Sequence, residues 1–221
     1  MKINTDMLKE GVRPFGVTLS QEQLEKFERF YQLLIEWNQT MNLTAITNPD
    51  EAVSKHFVDS LAFFAQAGNI DRFNHIDIGS GGGLPGIAIN IVAPNSELVL
   101  VESIGKKARY LENLVAQLEL PNAKVLNIRA EDIPVLYPEY VNHFTHVTAR
   151  AVGRLLMLLE LAKPVTKKGG IVTLWKGRDQ IAGLPKLLPQ IGDLGFRFLN
   201  THPYRIPMWN IDRFLITLKR L

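Results

Sequence analysis

The stretch Asp77-Ile-Gly-Ser-Gly-Gly-Gly-Leu-Pro-Gly86 decides how this chain folds. It follows a short apolar segment, 74–78, and precedes apolar residues at helical spacing, among them Ile87 and Ile91. Glycines at such a strand-to-helix junction let the backbone turn sharply and approach a ligand closely. Because ligands of parallel α/β sheets bind at the carboxyl ends of the strands, the stretch predicts a nucleotide-type ligand there.

After this stretch the sequence alternates between short apolar segments and helical patterns, the latter at 106–118, 155–165 and through Ile181 and Leu187. Such alternation favours a doubly wound α/β fold with a mostly parallel sheet covered on both faces. The last two strands have only a turn between them, so they must pair antiparallel and give the sheet an antiparallel edge. The predicted strands are 74–78, 98–101, 123–127, 144–149, 171–175, 196–204 and 213–219.

The sequence before the first predicted strand has a different, helical pattern. Ser20 and Gln23 form a capping box at the start of one predicted helix. Asn48 begins a second helix, and Glu51 completes another capping box there. We therefore expect a helical cap that packs beside the ligand-binding domain. The predicted division is 1–70 for the N-terminal helical cap and 71–221 for the ligand-binding domain.

The glycine-rich stretch is compatible with more than one ligand. Its glycines also fit the G-x-G-x-x-G fingerprint of dinucleotide binding. Pro85, however, removes an N–H from the first helical turn, where a pyrophosphate would need donors. Asp77 places a carboxylate beside the loop, which suits an ammonium or sulfonium ligand better than a dianion. The stretch thus favours S-adenosylmethionine, with Asp77, Gly79 and Gly81 as candidate contacts, while a dinucleotide or a tight turn without ligand stays open.

Acidic residues follow the next two predicted strands. Glu102 closes the second strand, where a carboxylate binds ribose hydroxyls in dinucleotide enzymes and methyltransferases alike. Glu131 and Asp132 follow the third strand, where a methyltransferase would reach the adenine amino group. A helix cap or a solvated turn is an equally simple interpretation of that pair. Acids after successive strands favour a bound nucleoside.

Composition excludes several classes of site. The chain has 221 residues, 46% hydrophobic and 21% charged, with a net charge of +3, as in ordinary globular proteins. It has no cysteine, which excludes disulfides, thiolate metal sites and a cysteine nucleophile. No apolar run reaches the roughly 18 residues of a membrane span, and the first residues lack a signal-peptide core. We expect a soluble, cytoplasmic, monomeric protein without a metal or a membrane partner.

Several segments, taken in order, resemble the RsmG (also called GidB) family. They are DIGSGGGLPGIAI, VESIGKKARYLENL, IRAEDI, TARAV and LWKG, preceded by NQTMNLTAIT and KHFVDSL. The resemblance implies a class I Rossmann-like methyltransferase that uses S-adenosylmethionine to methylate N7 of a guanine in 16S rRNA of the small ribosomal subunit. Carried over position by position, it implies cofactor contacts at Gly79, Leu84, Glu102, Ala130, Glu131 and Arg150.

The chemistry implied by this resemblance asks little of acid–base groups. Guanine N7 carries an in-plane lone pair and no proton at neutral pH, so a general base is not required. Catalysis would consist mainly of alignment and exclusion of water. No residue is assigned a firm catalytic role. Arg150 is the candidate for positioning the acceptor, through guanine O6, a phosphate or the cofactor carboxylate, with a surface salt bridge as the plain alternative.

Basic and aromatic residues supply candidates for RNA binding. Trp209 could stack on a base from an exposed loop. Trp175 is expected in the core, and His56 and Asp59 share a predicted helical face, which is consistent with a helix-stabilising contact. Cations along one edge would form the positive rim that phosphate binding needs. The candidates are Lys106, Arg129, Lys176 and Arg213.

Two other functions are compatible with the same fold. One is an NAD(P)-dependent oxidoreductase, for which the sequence offers no Tyr-x-x-x-Lys or similar hydride-transfer site. The other is a non-catalytic RNA-binding protein built on a methyltransferase scaffold.

Overall fold

The computed structural model describes residues 2–68, 70–150, 153–206, 209 and 211–221, and these form one seven-stranded sheet flanked by helices. The strands are β1 (Asn74–Ile78), β2 (Glu97–Val101), β3 (Ala123–Leu126), β4 (Phe144–Ala149), β5 (Thr166–Lys176), β6 (Phe196–Ile206) and β7 (Ile211–Arg220). The α-helices are α1 (Thr5–Val12), α2 (Gln21–Asn38), α3 (Pro49–Ala52), α4 (Asp59–Leu61), α5 (Phe64–Ala67), α6 (Gly86–Val92), α7 (Gly105–Gln117), α8 (Ile133–Leu136), α9 (Leu155–Ala162), α10 (Arg178–Ala182) and α11 (Leu188–Asp193).

The sheet has the order β3-β2-β1-β4-β5-β7-β6. Strands β1 to β5 run parallel, and β7 pairs antiparallel with both β5 and β6. The predicted doubly wound, mostly parallel sheet with an antiparallel edge is therefore confirmed. The reversed strand lies one place inside the edge, because β7 returns between β5 and β6. The strand order changes direction at β1 and β4, so the ligand crevice is expected above their carboxyl ends.

Strand β5 begins at Thr166, earlier than the predicted 171–175. Lysines and glycines after Thr166 are typical of a turn, which is why the sequence pattern missed this part of the strand. The chain instead stays extended through an irregularity, where the β4–β5 register shifts between Phe144 and His146. Gly169 has a φ of +80° there, and a side chain at Gly170 would lie 2.8 Å from the Lys167 carbonyl oxygen. A β-bulge thus explains both the glycines and the missed residues.

Each face of the sheet is covered by its own hydrophobic cluster. One cluster joins the N-terminal helices to α6 and α7, and its fully buried members include Phe27, Phe57 and Tyr110. The other lies under α9 and α11 and includes Phe144 and Phe196. The N-terminal helices therefore form part of the layer on one face of the sheet. Whether residues 1–70 act as a separate cap stays a prediction.

The two predicted helix starts have different outcomes. The capping box is confirmed at α2, where the Gln23 backbone N–H donates to Ser20 Oγ and the Ser20 N–H donates to Gln23 Oε1. Asn48 also caps its helix, through bonds from two backbone N–H groups. The second capping box is wrong, because the Glu51 carboxylate pairs with Lys55 one turn further along. Lys55 lies four residues after Glu51 on the same helix face, and this charged partner competes successfully with the backbone N–H at the cap.

Between α3 and α4 the helix widens into a π-helical turn, Val53–Val58. Such turns are uncommon and occur often at functional sites. In the described part of the chain, no helix is both long and apolar enough to cross a membrane.

Candidate active site

The glycine-rich loop between β1 and α6 turns back over the end of β2. The backbone N–H groups of Gly79 and Ser80 both donate to the Val101 carbonyl, at 2.9 and 3.1 Å. Gly79 and Gly81 have φ angles of +72° and +52°, a region that side chains with a Cβ avoid. The loop conformation therefore depends on glycine, and it exposes backbone at the carboxyl edge of the sheet.

Asp77 lies beneath this loop and is fully buried. Its carboxylate accepts hydrogen bonds from the Gly86 N–H at 3.2 Å and from the Thr148 hydroxyl at 2.7 Å. Burial raises the pKa of the Asp77 carboxyl to about 6, although the bonds from Thr148 and Gly86 lower it. Asp77 thus ties the loop to α6 and β4. Its predicted contact with the cofactor stays a prediction, since the carboxylate does not line either cavity described below.

Glu102 lies at the end of β2, and its side chain is almost fully buried. One carboxylate oxygen accepts from the Gly81 N–H at 3.0 Å, and the other accepts from the Ile104 N–H at 2.8 Å. Each oxygen retains a lone pair, because a carboxylate can accept about four hydrogen bonds. The backbone therefore fixes Glu102 in place and still leaves it able to bind hydroxyl groups.

Two cavities meet at this point. The glycine-loop cavity has a volume of about 480 Å³ and lies between the loop, the N-terminal helices and the end of β4. The strand-end cavity has a volume of about 140 Å³ and lies above the ends of β1, β2 and β3. Gly79 and Glu102 line both. The remaining lining of the glycine-loop cavity is Leu34, Leu43, Thr44, His56, Ser80, Gly81, Gly82, Leu84, Lys107, Arg150 and Gly153.

The strand-end cavity includes the residues predicted for adenine. Ala130 is buried and Glu131 is largely exposed, and both line the cavity. The Glu131 carboxylate accepts from Arg129 Nε at 2.8 Å. The pKa of Glu131 is lowered, first by a hydrogen bond to its own backbone and then by Arg129. All of the cofactor candidates except Asp77 therefore lie around the two cavities.

Arg150 reaches the glycine-loop cavity from the end of β4 and is held from the N-terminal helices. Its Nη1 donates to Asp59 Oδ2 at 3.1 Å and to the Lys55 carbonyl oxygen at 3.3 Å. The Asp59 carboxylate is only 2% exposed, and it also accepts from the Tyr204 hydroxyl at 2.5 Å. The positive charge of Arg150 is thus balanced by a buried carboxylate, a partner that no sequence pattern indicates.

His56 has a different partner from the one predicted. Its Nε2 lies 2.8 Å from Thr44 Oγ1, while Asp59, on the same helical stretch, binds Arg150 and Tyr204. The predicted helix-stabilising contact between His56 and Asp59 is therefore wrong, because each side chain binds partners outside this helical stretch. Burial, and then the charge of Arg150, lower the pKa of His56 to about 3, so the ring is neutral at physiological pH.

The predicted RNA contacts occupy unlike positions. Lys106 is exposed, and Arg129 is exposed and paired with Glu131. Lys176 is buried, and burial lowers its pKa. Arg213 lies 3.7 Å from the Asp59 carboxylate and is about one-third exposed. Lys176 is therefore not an exposed cation, and the positive rim and a role in RNA binding stay predictions for these residues.

Sequence reasoning missed Lys107, which lines the glycine-loop cavity and is the neighbour of Lys106, the proposed RNA contact. The period of the predicted helix could have identified this residue. Lys107 precedes Tyr110, Leu111 and Leu114 by three, four and seven residues, so it borders the buried face of α7. Thr44 and His56 were also missed as lining residues, although both lie in segments that resemble the family.

Trp175 and Trp209 differ in exposure. Trp175 is buried in the core, as predicted, and its Nε1 donates to the Asp59 carbonyl at 2.7 Å. Trp209 is 41% exposed. The Lys55 ammonium lies 4.2 Å from the centre of its ring, a cation–π contact. Stacking of Trp209 on a base stays a prediction.

Comparison with known proteins gives a consistent result. The GidB family model, described as rRNA small subunit methyltransferase G, matches residues 23–187. The chain is 36% identical to ribosomal RNA small subunit methyltransferase G of Carboxydothermus hydrogenoformans, over 97% of this chain and 90% of the relative. It is 33% identical to the protein of that name from Bacillus subtilis, over 99% and 91%. A methyltransferase structure from Aquifex aeolicus, titled as SAM dependent, shares the fold with a TM-score of 0.60 and 16% identity, covering 81% of this chain and 97% of that one.

Proposed function

The chain belongs to the GidB family, rRNA small subunit methyltransferase G, and from this premise we propose that it methylates N7 of a guanine in 16S rRNA. As a member of this family it is an S-adenosylmethionine-dependent methyltransferase. The nicotinamide-dependent and non-catalytic alternatives have no comparable support. The observation that carries the proposal is the pair of cavities that meet at Gly79 and Glu102.

The residues around the cavities suit S-adenosylmethionine. In the strand-end cavity, Glu102 would bind the ribose hydroxyls, and Ala130 and Glu131 would contact the adenine. In the glycine-loop cavity, the backbone of Gly79 and Gly81 would approach the amino-acid part of the cofactor. A Cβ on Gly81 would meet no atom of the protein closer than 3.8 Å, so the glycine leaves open space on the cavity side. Leu84 would supply apolar contact from the same loop.

When bound, S-adenosylmethionine supplies a methyl group on a positively charged sulfur. Guanine N7 has a lone pair and no proton to lose at neutral pH, so the chain need not provide a base. Its own residues would orient the guanine and exclude water, which suffices for large accelerations when reacting groups are aligned. The neutral His56 ring adds no positive charge to this cavity.

Arg150 is proposed to position the acceptor. A free cation beside a sulfonium would repel it, but Asp59 balances the charge of the guanidinium. Arg150 can therefore donate hydrogen bonds to guanine O6 or to a phosphate without opposing the cofactor. The expected substrate is 16S rRNA within the small ribosomal subunit, and the protein is expected to act as a cytoplasmic monomer.

Methyl transfer to ribosomal subunits tests the proposal. The protein is incubated with S-adenosylmethionine that carries a labelled methyl group and with small subunits from a strain that lacks this enzyme. We expect label in 16S rRNA, and none when the subunits come from a strain that has the enzyme, because their guanine is already methylated. Equal labelling of both preparations, or of neither, would refute the proposed substrate.

A further inference from the structure

A buried cluster of charges links the N-terminal helices to the end of the sheet on the acceptor side. At its centre Asp59, the first residue of α4, accepts hydrogen bonds from Arg150 and Tyr204. Arg213 of β7 lies 3.7 Å from the same carboxylate. These residues come from α4, the end of β4, β6 and β7, so a single carboxylate joins four separate elements.

The cluster carries more positive than negative charge. Asp59 is hydrogen-bonded to Arg150 and balances its charge, whereas Arg213, 3.7 Å away, has no other carboxylate partner in the described part of the chain, so the formal charge of the cluster is +1. The Nε of Arg213 is buried and has no hydrogen-bond partner among the residues that the structure describes. Buried polar groups are usually paired, and an exception calls for an explanation. This Nε lies 3.7 Å from Asp59 Oδ1, an oxygen that already accepts from the Tyr204 hydroxyl.

The π-helical turn provides a second hydrogen-bond acceptor for Arg150. The Lys55 carbonyl lies within this turn and accepts from the same Nη1 that binds Asp59. With Nη1 fixed by two acceptors, the guanidinium plane is oriented. Within the described part of the chain no acceptor binds its Nε or Nη2, so these donors can serve a ligand. Since Arg150 lines the glycine-loop cavity, that ligand would lie beside the cofactor.

We propose that Asp59 is a positioning residue of the methyl-transfer reaction: it acts through Arg150, which it holds in the orientation that receives the guanine or its phosphate. This inference rests on the proposed function. It also gives the N-terminal helices a part in the reaction, because both acceptors that fix Arg150 come from them. A misplacement of about 1 Å can cost roughly 100-fold in rate, so the effect should be measurable.

The first test compares two aspartates that each hold two arginines. Asp212 accepts from Arg178 and Arg205 on the exposed side of the β6–β7 hairpin and serves as the matched control. For Asp59→Asn we expect kcat on small subunits to fall about 30-fold or more. Binding of S-adenosylhomocysteine, measured by calorimetry, should stay within about twofold, because Asp59 lines neither cavity and Arg150 is proposed to contact the acceptor rather than the cofactor. Asp212→Asn should stay within about twofold in both. A folded Asp59→Asn protein with kcat within about threefold of the parent would overturn the proposal.

A double-mutant cycle separates positioning from general support of the fold. If Asp59 acts through Arg150, then Asp59→Asn should cost less than about threefold in kcat when Arg150→Gln is already present. Losses that multiply would mean that Asp59 acts by another route, and would overturn the proposal. The parent protein is the reference: no methyl transfer by the parent would refute the proposed function itself, whereas an active parent with an active Asp59→Asn refutes only this inference.

Tyr204→Phe covers the case in which Asp59→Asn does not fold, since that change leaves two arginines without a buried counter-charge. It removes one hydroxyl from the Asp59 carboxylate and leaves every charge in place. We expect kcat to fall about threefold to tenfold in the parent and to be unchanged in the Arg150→Gln background. An unchanged kcat in the parent, or the same fall in both backgrounds, would count against the proposal.

Discussion

The cofactor side and the acceptor side of the site are held together by different kinds of contact. On the cofactor side, which comprises the glycine-rich loop and the ends of β1, β2 and β3, neighbouring backbone groups fix the shape. The Val101 carbonyl holds the loop, and Glu102 is fixed by nearby N–H groups. On the acceptor side, which comprises Asp59 and the side chains around it, two arginines and a tyrosine distant in sequence converge on one carboxylate.

This difference predicts how each side responds to change. A backbone-built site fails when the backbone conformation is altered, and it then loses affinity for the cofactor. A site built from side chains fails when one charge is removed, and it then loses rate while cofactor binding persists. The two sides should therefore be separable by measuring binding and turnover on the same variants.

The largest expected effect comes from deleting the N-terminal helices. A truncation that starts at Phe73 removes Phe27 and Phe57 from the cluster that covers one face of the sheet. We expect a protein that does not fold, because loss of a single buried phenylalanine costs about 3–5 kcal/mol and this change removes several. Circular dichroism and thermal unfolding check the outcome. A truncated protein that folds and methylates normally would show that the acceptor side does not need these helices.

Gly81→Val should disable the cofactor side alone. A valine at this position would have to adopt a φ of +52°, and it would add a side chain to a residue that lines the glycine-loop cavity. We expect affinity for S-adenosylhomocysteine to fall about 100-fold or more, by calorimetry. Gly16→Val is the matched control, since Gly16 has a φ of +75° and open space but lines neither cavity. If both variants bind the cofactor product equally, the loop is not the binding element.

The chain sequence made the cofactor side predictable because its determinants are local. Strand, glycines, proline and the acid at the end of β2 lie within a short stretch, and β1 was predicted to the residue. The acceptor side has no such stretch. Asp59 is 91 residues from Arg150 and 145 from Tyr204, so no period or spacing relates them. Helical periodicity could have identified Lys107 as a residue that borders the buried face of α7. The contact of His56 with Thr44 instead of Asp59 can be seen only in the folded chain.

Arg150→Gln should disable the acceptor side alone. The change removes the charge that Asp59 orients, so we expect kcat on small subunits to fall about 30-fold to 100-fold. Because Arg150 is proposed to contact the acceptor rather than the cofactor carboxylate, the dissociation constant for S-adenosylhomocysteine should change by less than about threefold. Arg178→Gln is the control, because Arg178 pairs with Asp212 at an exposed position and should lose less than about twofold. A large loss of cofactor affinity in Arg150→Gln would contradict the division of the site into a cofactor side and an acceptor side.

The smallest expected effect concerns Asp77 and appears as a dependence of stability on pH. Its pKa is about 6 in the folded protein, raised from 3.8. Between these values the folded state holds the proton more tightly than the unfolded state, so this group's contribution to stability is lost as pH rises through the window. The midpoint temperature of thermal unfolding of Asp77→Asn should therefore rise relative to that of the parent as pH rises from about 4 to 7.

Thr148→Val sharpens the same measurement. It removes the hydroxyl that bonds the Asp77 carboxylate and lowers its pKa, so the loss of stability should extend to higher pH than in the parent. If neither variant changes the pH dependence of stability, then the buried Asp77 carboxyl is not the group that causes it.

The identity of the methylated nucleoside tests the central claim most directly. Small subunits that lack the modification are methylated with labelled S-adenosylmethionine, and their 16S rRNA is digested to nucleosides and separated by chromatography. The account predicts that the label runs with 7-methylguanosine, and that Gly81→Val and Arg150→Gln both reduce it. Label in any other nucleoside, or a product that forms equally well with both variants, would contradict it.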